Sequence, residues 1–343
     1  IQQELMKDKD RKIMLAHGGG GRLSGQLIKE TILSRISPGV KALTDSAALN
    51  TGTGGICFTT DSYVVKPLFF PGGDIGKLAV CGTVNDLAVA GSVPKALSLA
   101  LIIETGFDMH LLERILESIA AEAERQGVKI VTGDTKTVEQ GKADGIFINT
   151  AGIGERIAGT EMGFSRISSG DKIILSGTIA DHGMTVISKR EDISFDSPLL
   201  SDCAGVAELT CRILNTFKDV RFMRDPTRGG LAASLNEITE ETGLNIEISQ
   251  EKIPVRPAVQ AAADMLGFDV LNIANEGKFI AVVPADCCDE ILQMCRNHPL
   301  GVDAAVIGEI TTESKNPSVE MVTAIGGRRI VQTPYGRELP RIC

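Results

Sequence analysis

Hydrophobic and polar positions divide the chain into two series of short elements. In the first, Ile56-Cys57-Phe58-Thr59-Thr60 has strand character and ends at Asp61. Asp74 is placed to cap a helix that runs to Val89 or Ala90 and closes at Gly91. Asp108 caps a second helix, His110 to Gln126, with Gly127 beyond its end. Ala96 to Ile103, Val128 to Val131 and Ile146 to Thr150 are apolar runs of strand length, and Leu23 to Leu33 is a short amphipathic helix. The second series starts near Gly170. Strands at Lys172–Leu175, Val220–Met223, Asn245–Ile248, Lys278–Val283 and Ala304–Ile310 are interspersed with helices at Ala180–Lys189, Cys203–Thr216, Pro257–Leu266 and Asp286–Arg296. A further helix follows Gly229-Gly230 and runs through Glu241. Consecutive strands mixed with strand–helix units predict two α+β halves with a boundary near residues 155–170. The last ten residues hold two prolines and a glycine without apolar periodicity, so they read as an extended or mobile tail. Ten residues span at most about 35 Å, enough to cross a domain.

Composition narrows the function. With 43% hydrophobic and 23% charged residues, the 343-residue chain is long enough for two cores. No run of eighteen apolar residues predicts a membrane span. A net charge of -9 without a basic block argues against nucleic acid as the main partner. None of the eight cysteines forms a CxxC pair, and most sit in apolar runs, as in a reducing, cytoplasmic protein. The exception is Cys343, the last residue of the sequence.

Candidate chemistry gathers at strand ends. Asp45, Asp61, Asp86, Asp134 and Asp225 each follow an apolar or Thr-rich strand or lie one turn into a helix beside glycine. Any one of them fits a cap or turn equally well. Together, at one sheet edge, they would suit a hard cation such as Mg²⁺ bridging phosphates. His17-Gly18-Gly19-Gly20-Gly21-Arg22 is either a hinge or a loop whose N–H groups approach an anion. Gly72-Gly73-Asp74-Ile75-Gly76-Lys77-Leu78 falls one residue short of a P-loop and has Leu78 where a hydroxyl is needed. No GxGxxG opens a strand–helix unit. Glu276, Lys136, His17 and His182 would, singly, be surface or structural residues.

Taken together, the motifs carry a resemblance. They are His17-Gly18, Thr60-Asp61-Ser62-Tyr63-Val64-Val65, the stretch Pro67 to Ala79, and Gly82-Thr83-Val84-Asn85-Asp86-Leu87-Ala88. Val131-Thr132-Gly133-Asp134-Thr135-Lys136, Asn149-Thr150-Ala151-Gly152, Asp181-His182-Gly183 and Asp225-Pro226-Thr227-Arg228-Gly229-Gly230 follow. Ala274-Asn275-Glu276-Gly277-Lys278 and Pro340-Arg341-Ile342-Cys343 complete the set. The chain resembles, over nearly its whole length, the HypE family of nickel–iron hydrogenase maturation proteins. That family lies within the aminoimidazole ribonucleotide synthetase and selenophosphate synthetase superfamily. Gly19 stands where some relatives have Ser.

The resemblance implies a two-domain α+β fold of the aminoimidazole ribonucleotide synthetase (PurM-like) type with a flexible C-terminal tail. It divides the chain into a segment 1–42 with the glycine loop, an ATP-binding domain 43–160, a C-terminal domain 161–318 and a tail 319–343. The implied activity is ATP-dependent dehydration of an S-carboxamide on Cys343 to a thiocyanate, the source of cyanide for the hydrogenase iron. Glu276 is implied as base and Lys136 as a stabilising or orienting cation. Asp45, Asp61, Asp86, Asp134 and Asp225 become Mg²⁺ ligands, and Gly18, Gly19, Gly20, Gly21, Lys66, Asn85, Asn149 and Thr150 ATP contacts. The implied partners are a second copy in a homodimer, a HypF-type carbamoyltransferase and a HypC–HypD iron scaffold. A selenophosphate synthetase-like enzyme is disfavoured because no Cys lies near Gly18. Another small-molecule kinase would keep the fold and change the substrate, whereas a non-catalytic scaffold would leave the five Asp residues and Glu276 replaceable.

Overall fold

The computed structural model describes residues 13, 17, 21–36, 44–50, 55–195, 197–335 and 341–343. An N-terminal helical segment runs from α1 (Arg22–Gln26) through the π-helical stretch Leu27–Leu33 to α2 (Ser34–Ile36). The first domain is built on β1 (Ala47–Asn50), β2 (Gly55–Tyr63), a hairpin of β3 (Phe69–Phe70) and β4 (Gly73–Asp74), and α3 (Ile75–Val89). It continues with β5 (Ser92–Glu104), α4 (Met109–Arg125), β6 (Lys129–Val138) and β7 (Ile146–Arg156). Five of the strands form one sheet in the order β1-β2-β7-β5-β6, antiparallel except for the β5–β6 pair. Both expected helix caps are made: Asp74 accepts from the N–H groups of Gly76 and Lys77, and Asp108 from those of His110 and Leu111.

The second domain comprises β8 (Lys172–Leu175), α5 (Asp181–Arg190), α6 (Ala207–Thr216), β9 (Phe222–Arg224), α7 (Gly230–Thr242) and β10 (Leu244–Ser249). It is completed by α8 (Pro257–Leu266), β11 (Ile280–Val283), α9 (Cys288–Arg296), β12 (Ala305–Glu313), β13 (Val319–Val322) and β14 (Arg328–Val331). Its seven strands run in the order β14-β13-β10-β12-β8-β11-β9. The sequence reading assigned residues from 319 onward to a tail. Instead β13 and β14 extend this sheet, because Val319, Met321 and Val331 bury apolar side chains beside β10.

α3 joins the two domains. Its apolar residues point in every direction, and Ile75, Leu78, Val80, Val84 and Ala88 are all buried. A helix apolar all round must be enclosed. One face packs on the first sheet, and the far side meets Leu209, Ile213 and Phe279 in a core that is continuous across both domains. The first sheet is asymmetric. On β2, Cys57, Thr59 and Tyr63 face α3 while Phe58, Thr60 and Ser62 face away. No described element covers that outer face, where Phe58, Ile102 and Ile153 are each more than 40% exposed.

Candidate active site

The site lies where both domains meet α3. Asp45 precedes β1, Asp86 is on the last turn of α3, and Asp225 follows β9. Carboxylate oxygens from these three lie within 4.8 Å of one another. Thr59 Oγ1 donates to Asp86 Oδ2 (2.8 Å), and Arg224 Nε lies 3.2 Å from Asp45 Oδ1. Burial raises the pKa of all three. For Asp86, repulsion from Asp225, Asp45 and Asp61 adds to burial, and for Asp225 the charge of Asp45 does the same. Among the described residues the ion pair made by this cluster is that of Arg224 with Asp45, and Arg224 is itself shared with Glu237. Such an under-neutralised set of hard oxygen donors fits a divalent cation.

Asp61 sits beside this triad rather than in it. Its Oδ1 accepts from the Ser62 N–H at 2.7 Å, and burial raises its pKa against the opposing charge of Arg228. Arg228 lies in the turn Thr227-Arg228-Gly229-Gly230, where both glycines adopt positive φ (82° and 61°). A Cβ on Gly230 would come within 2.5 Å of the Leu271 carbonyl, so the tight turn that precedes α7 requires glycine. A cleft of about 420 Å³ runs along this turn, lined among others by Gly21, Arg22, Arg224, Thr227, Arg228 and Glu237.

Glu276 occupies a loop fixed from several sides. Asn275 Nδ2 donates to the Pro226 carbonyl (2.8 Å) and its Oδ1 accepts from Ala180 N–H (2.8 Å). The N–H groups of Glu276 and Gly277 donate to Asp202, and Lys278 Nζ lies 3.5 Å from the same carboxylate. Asn85 Nδ2 on α3 donates to the carbonyls of Ala204 and Glu276. While the backbone is held, the side chain is 3% exposed and Oε1 has no hydrogen-bond partner among the described residues. Burial, then the charges of Cys203, Asp225, Asp61 and Asp202, raise its pKa well above the ordinary 4.5. A buried carboxyl tuned upward and left without a partner is equipped to take and return protons.

The C-terminal residues enter the same site. Val64 N–H donates to the Cys343 carbonyl oxygen (3.0 Å) and Lys66 N–H to that of Arg341 (3.3 Å), so the end of the chain runs antiparallel to the segment after β2. Arg190 donates to the carbonyls of Lys66 and Arg341, Arg341 Nε donates to Val64 O (2.9 Å), and Asp144 holds the Arg341 guanidinium. Ile342 and Cys343 are buried. Of the tail expected to be extended or mobile, these three residues are docked by backbone pairing and two arginines. Burial, with Glu276, Asp61 and Asp225, drives the Cys343 thiol pKa upward against Arg228.

The other sequence candidates divide. Asn85, as described, positions the Glu276 loop. Thr150 is buried on the α3 side, bonded to Thr83 Oγ1 and the Ala79 carbonyl. Asn149 Nδ2 ties Asp61 O, Thr60 Oγ1 and Ser62 Oγ together, and Lys66 pairs with Asp144. Gly21 lines the cleft, while Gly18, Gly19 and Gly20 lie outside the described residues.

Asp134 and Lys136 are not with the other acids. Register pairs Asp134 with Ala100, Ala100 with Asn149 and Asn149 with Ser62, all on the outer face. Three strand spacings, about 14 Å, separate Asp134 from β2. The two residues are exposed and form an ion pair with each other. Strand parity explains the difference: Asp61 and Asp134 follow similar sequences but point to opposite sides of one sheet. Sequence reasoning missed Arg224, Arg190, Ser201 and Asp144, none of which has a local signal. Arg228 and His182 lay inside quoted motifs without being assigned a role.

Two family models match the chain: the N-terminal domain of AIR synthase related proteins over residues 43–156 and the C-terminal domain over 168–319. The carbamoyl dehydratase HypE of Rhizobium leguminosarum bv. viciae is 48% identical over 334 residues, covering 97% of this chain and 95% of that protein. A solved HypE–HypF complex superposes with a TM-score of 0.85 at 45% identity, covering 90% of this chain and 99% of that one. A HypE solved with ATP gives a TM-score of 0.82 at 40% identity, covering 97% and 100%. With the paired domains, the acid cluster and the docked cysteine in place, these identities show that the chain belongs to the HypE carbamoyl dehydratase family of AIR synthase related proteins.

Proposed function

We propose that the protein is an ATP-dependent dehydratase that converts an S-carboxamide on its own Cys343 to a thiocyanate during maturation of nickel–iron hydrogenase. The observation that carries this reading is the burial of Cys343 among Arg228, Glu276 and Asp61, with Glu276 Oε1 unpartnered. An amide oxygen leaves poorly as hydroxide and well as phosphate. The carboxamide oxygen takes the γ-phosphoryl group of ATP while Glu276 accepts one N–H proton, leaving an O-phosphorylated imidate on sulfur. The C–O bond then breaks, phosphate departs with the former amide oxygen, and the second N–H proton is removed as C≡N forms. The sum is S-carboxamide and ATP to thiocyanate, ADP and phosphate. Arg228 faces the charge that develops at the phosphorylated oxygen.

ATP enters this reading as co-substrate. Support comes from the relative solved with ATP and from the cleft of about 420 Å³ that connects Gly21 with Arg228. Asp45, Asp86 and Asp225 would hold Mg²⁺, which when bound neutralises phosphate charge. The relative solved with HypF supports a HypF-type carbamoyltransferase as donor, and the cyano group passes onward to a HypC–HypD scaffold. The uncovered apolar face with Phe58, Ile102 and Ile153 supports a homodimer through the first sheet. Asp134 and Lys136 lie on that face, so any part they take in the reaction comes from the dimer side.

The test is the intact mass of the protein after incubation with a HypF-type transferase, carbamoyl phosphate and Mg-ATP, beside a Cys343→Ala control. A carbamoyl adduct that loses one water only with ATP, and never forms on the control, supports the reading. An adduct that persists with ATP refutes it.

A further inference from the structure

His182 and Ser201 form a connected chain of hydrogen bonds whose proton positions follow from the geometry. Cys203 N–H donates to Ser201 Oγ at 3.1 Å, and Ser201 Oγ lies 2.8 Å from His182 Nδ1. His182 Nε2 lies 2.9 Å from the Ile342 carbonyl, which can only accept. Nε2 therefore carries the proton, Nδ1 is the acceptor, and the Ser201 hydroxyl donates to it. Burial pushes the His182 pKa down and keeps the ring neutral. The ring is clamped edge-on against Phe70 at 5.3 Å, and Ser201 N–H donates to the Pro71 carbonyl at 2.9 Å. The Ile342 carbonyl belongs to the peptide bond that carries Cys343.

The segment holding Ser201 also holds the loop that bears the proposed base. Asp202 accepts from the N–H groups of Glu276 and Gly277, and Ala204 N–H donates to the Glu276 carbonyl. Residues 201–204 thus touch the reacting thiol's peptide on one side, through His182, and the Glu276 backbone on the other. We infer that His182 and Ser201 are positioning residues for the dehydration: they register Cys343 against Glu276 through this shared segment. The inference rests on the reading above. Neither residue touches the reacting atoms. The Ile342 carbonyl sets the His182 tautomer, the Ser201 hydroxyl supports it by donating to Nδ1, and the other tautomer would turn a lone pair toward the Ile342 oxygen. A reaction that needs a base within hydrogen-bond reach of a modified sulfur is sensitive to such a shift.

The test compares wild type with Ser201→Ala, a small change at a partly exposed position, and with Ser201→Thr, which keeps the hydroxyl. Iodoacetamide labelling of Cys343, read from the mass of the C-terminal peptide, reports how often the tail leaves its dock without any need for turnover. Loss of water from the carbamoylated protein with Mg-ATP reports the chemistry, and nucleotide affinity serves as control. In Ser201→Ala, labelling accelerates and water loss slows, each by about tenfold, the worth of one hydrogen bond. Nucleotide affinity stays at the wild-type value, the thermal midpoint falls by no more than a few degrees, and Ser201→Thr recovers both rates. If either rate in Ser201→Ala matches wild type, the positioning role is overturned. If carbamoylated wild type itself loses no water, the dehydratase reading fails, and labelling alone decides whether the relay holds the tail.

Discussion

Replacing Glu276 with Gln should move activity and stability in opposite directions. The carboxyl is buried, Oε1 has no partner, and its pKa is raised first by burial and then by neighbouring Cys203 and Asp225. Below about pH 4.5 the group is protonated in both the folded and unfolded chain and costs nothing. As pH rises past that value the unfolded chain ionises it while the fold retains the proton, so folding stability falls. The loss levels off once pH exceeds the folded-state pKa. Gln does not ionise, so the variant gains on wild type as pH increases. An unpartnered buried polar group costs about 1–3 kcal/mol, and Gln keeps part of that cost because its own oxygen stays unpaired. The expected gain at pH 8 is therefore about 1 kcal/mol, or about 2 °C in Tm for a chain of this size.

The chemical prediction is the reverse. Gln preserves shape and loses the proton acceptor, so ATP-dependent water loss from the carbamoylated protein falls by about 10²- to 10⁴-fold. Differential scanning calorimetry at pH 5 and pH 8, paired with a mass-spectrometric time course, measures both. A variant destabilised by more than about 2 kcal/mol at pH 8 would make Glu276 a structural residue. Water loss within about threefold of wild type would place the base elsewhere.

Asp86→Asn removes one member of the acid triad, so without Mg²⁺ the variant is more stable than wild type, increasingly so as pH rises above about 4. Added Mg²⁺ raises the wild-type Tm and leaves that of the variant unmoved. A shift equal in both would take the cation away from this cluster. Gly277→Ala would bring a Cβ within 1.9 Å of the Asp202 carbonyl oxygen, backbone that cannot swing aside. Urea denaturation should show a loss of about 2–4 kcal/mol, and a neutral result would mean that the Glu276 loop shifts freely. Phe58→Glu charges the uncovered sheet face, and sedimentation velocity should show dimers becoming monomers. A wild type that is monomeric at micromolar concentration would refute the dimer through this face.

What the sequence revealed was local. The Asp74 and Asp108 caps, and the exact spans Lys172–Leu175 and Pro257–Leu266, depend on neighbours within a turn or on the alternation within one strand. The strands β1 and β14 were missed because each is a short edge strand carried by the hairpin it forms with its neighbour, and β13 because its other partner, β10, is distant in sequence; their own residues include Asn50, Glu320 and Arg328. β2 runs past its expected end at Asp61 to Tyr63: Asp61 takes the inward position between Thr59 and Tyr63, so a site residue breaks the apolar alternation. The acid cluster was legible in kind but not in membership. Asp45, Asp86 and Asp225 arrive from three elements, and register alone distinguishes Asp61 from Asp134. Glu276 carried a motif, but no composition rule predicts an almost fully buried glutamate with a free oxygen.

The charges around Cys343 also separate two steps that use the same sulfur. Carbamoyl transfer to a cysteine requires the thiolate. In the dock, burial and the acids Glu276, Asp61 and Asp225 outweigh Arg228 and hold the thiol neutral. Docked Cys343 is therefore a poor nucleophile, and carbamoylation belongs to a tail that has left the site. The S-carboxamide is uncharged, so the acids that oppose the thiolate impose no such penalty on it. An amide N–H can donate to Oε1 of Glu276, an acceptor that no described residue satisfies. One electrostatic arrangement thus disfavours the reactive thiolate and accommodates the neutral product of its reaction. Substituting Arg228 would remove the cation that faces the phosphorylated oxygen and slow dehydration, while carbamoyl transfer to the undocked tail keeps its wild-type rate.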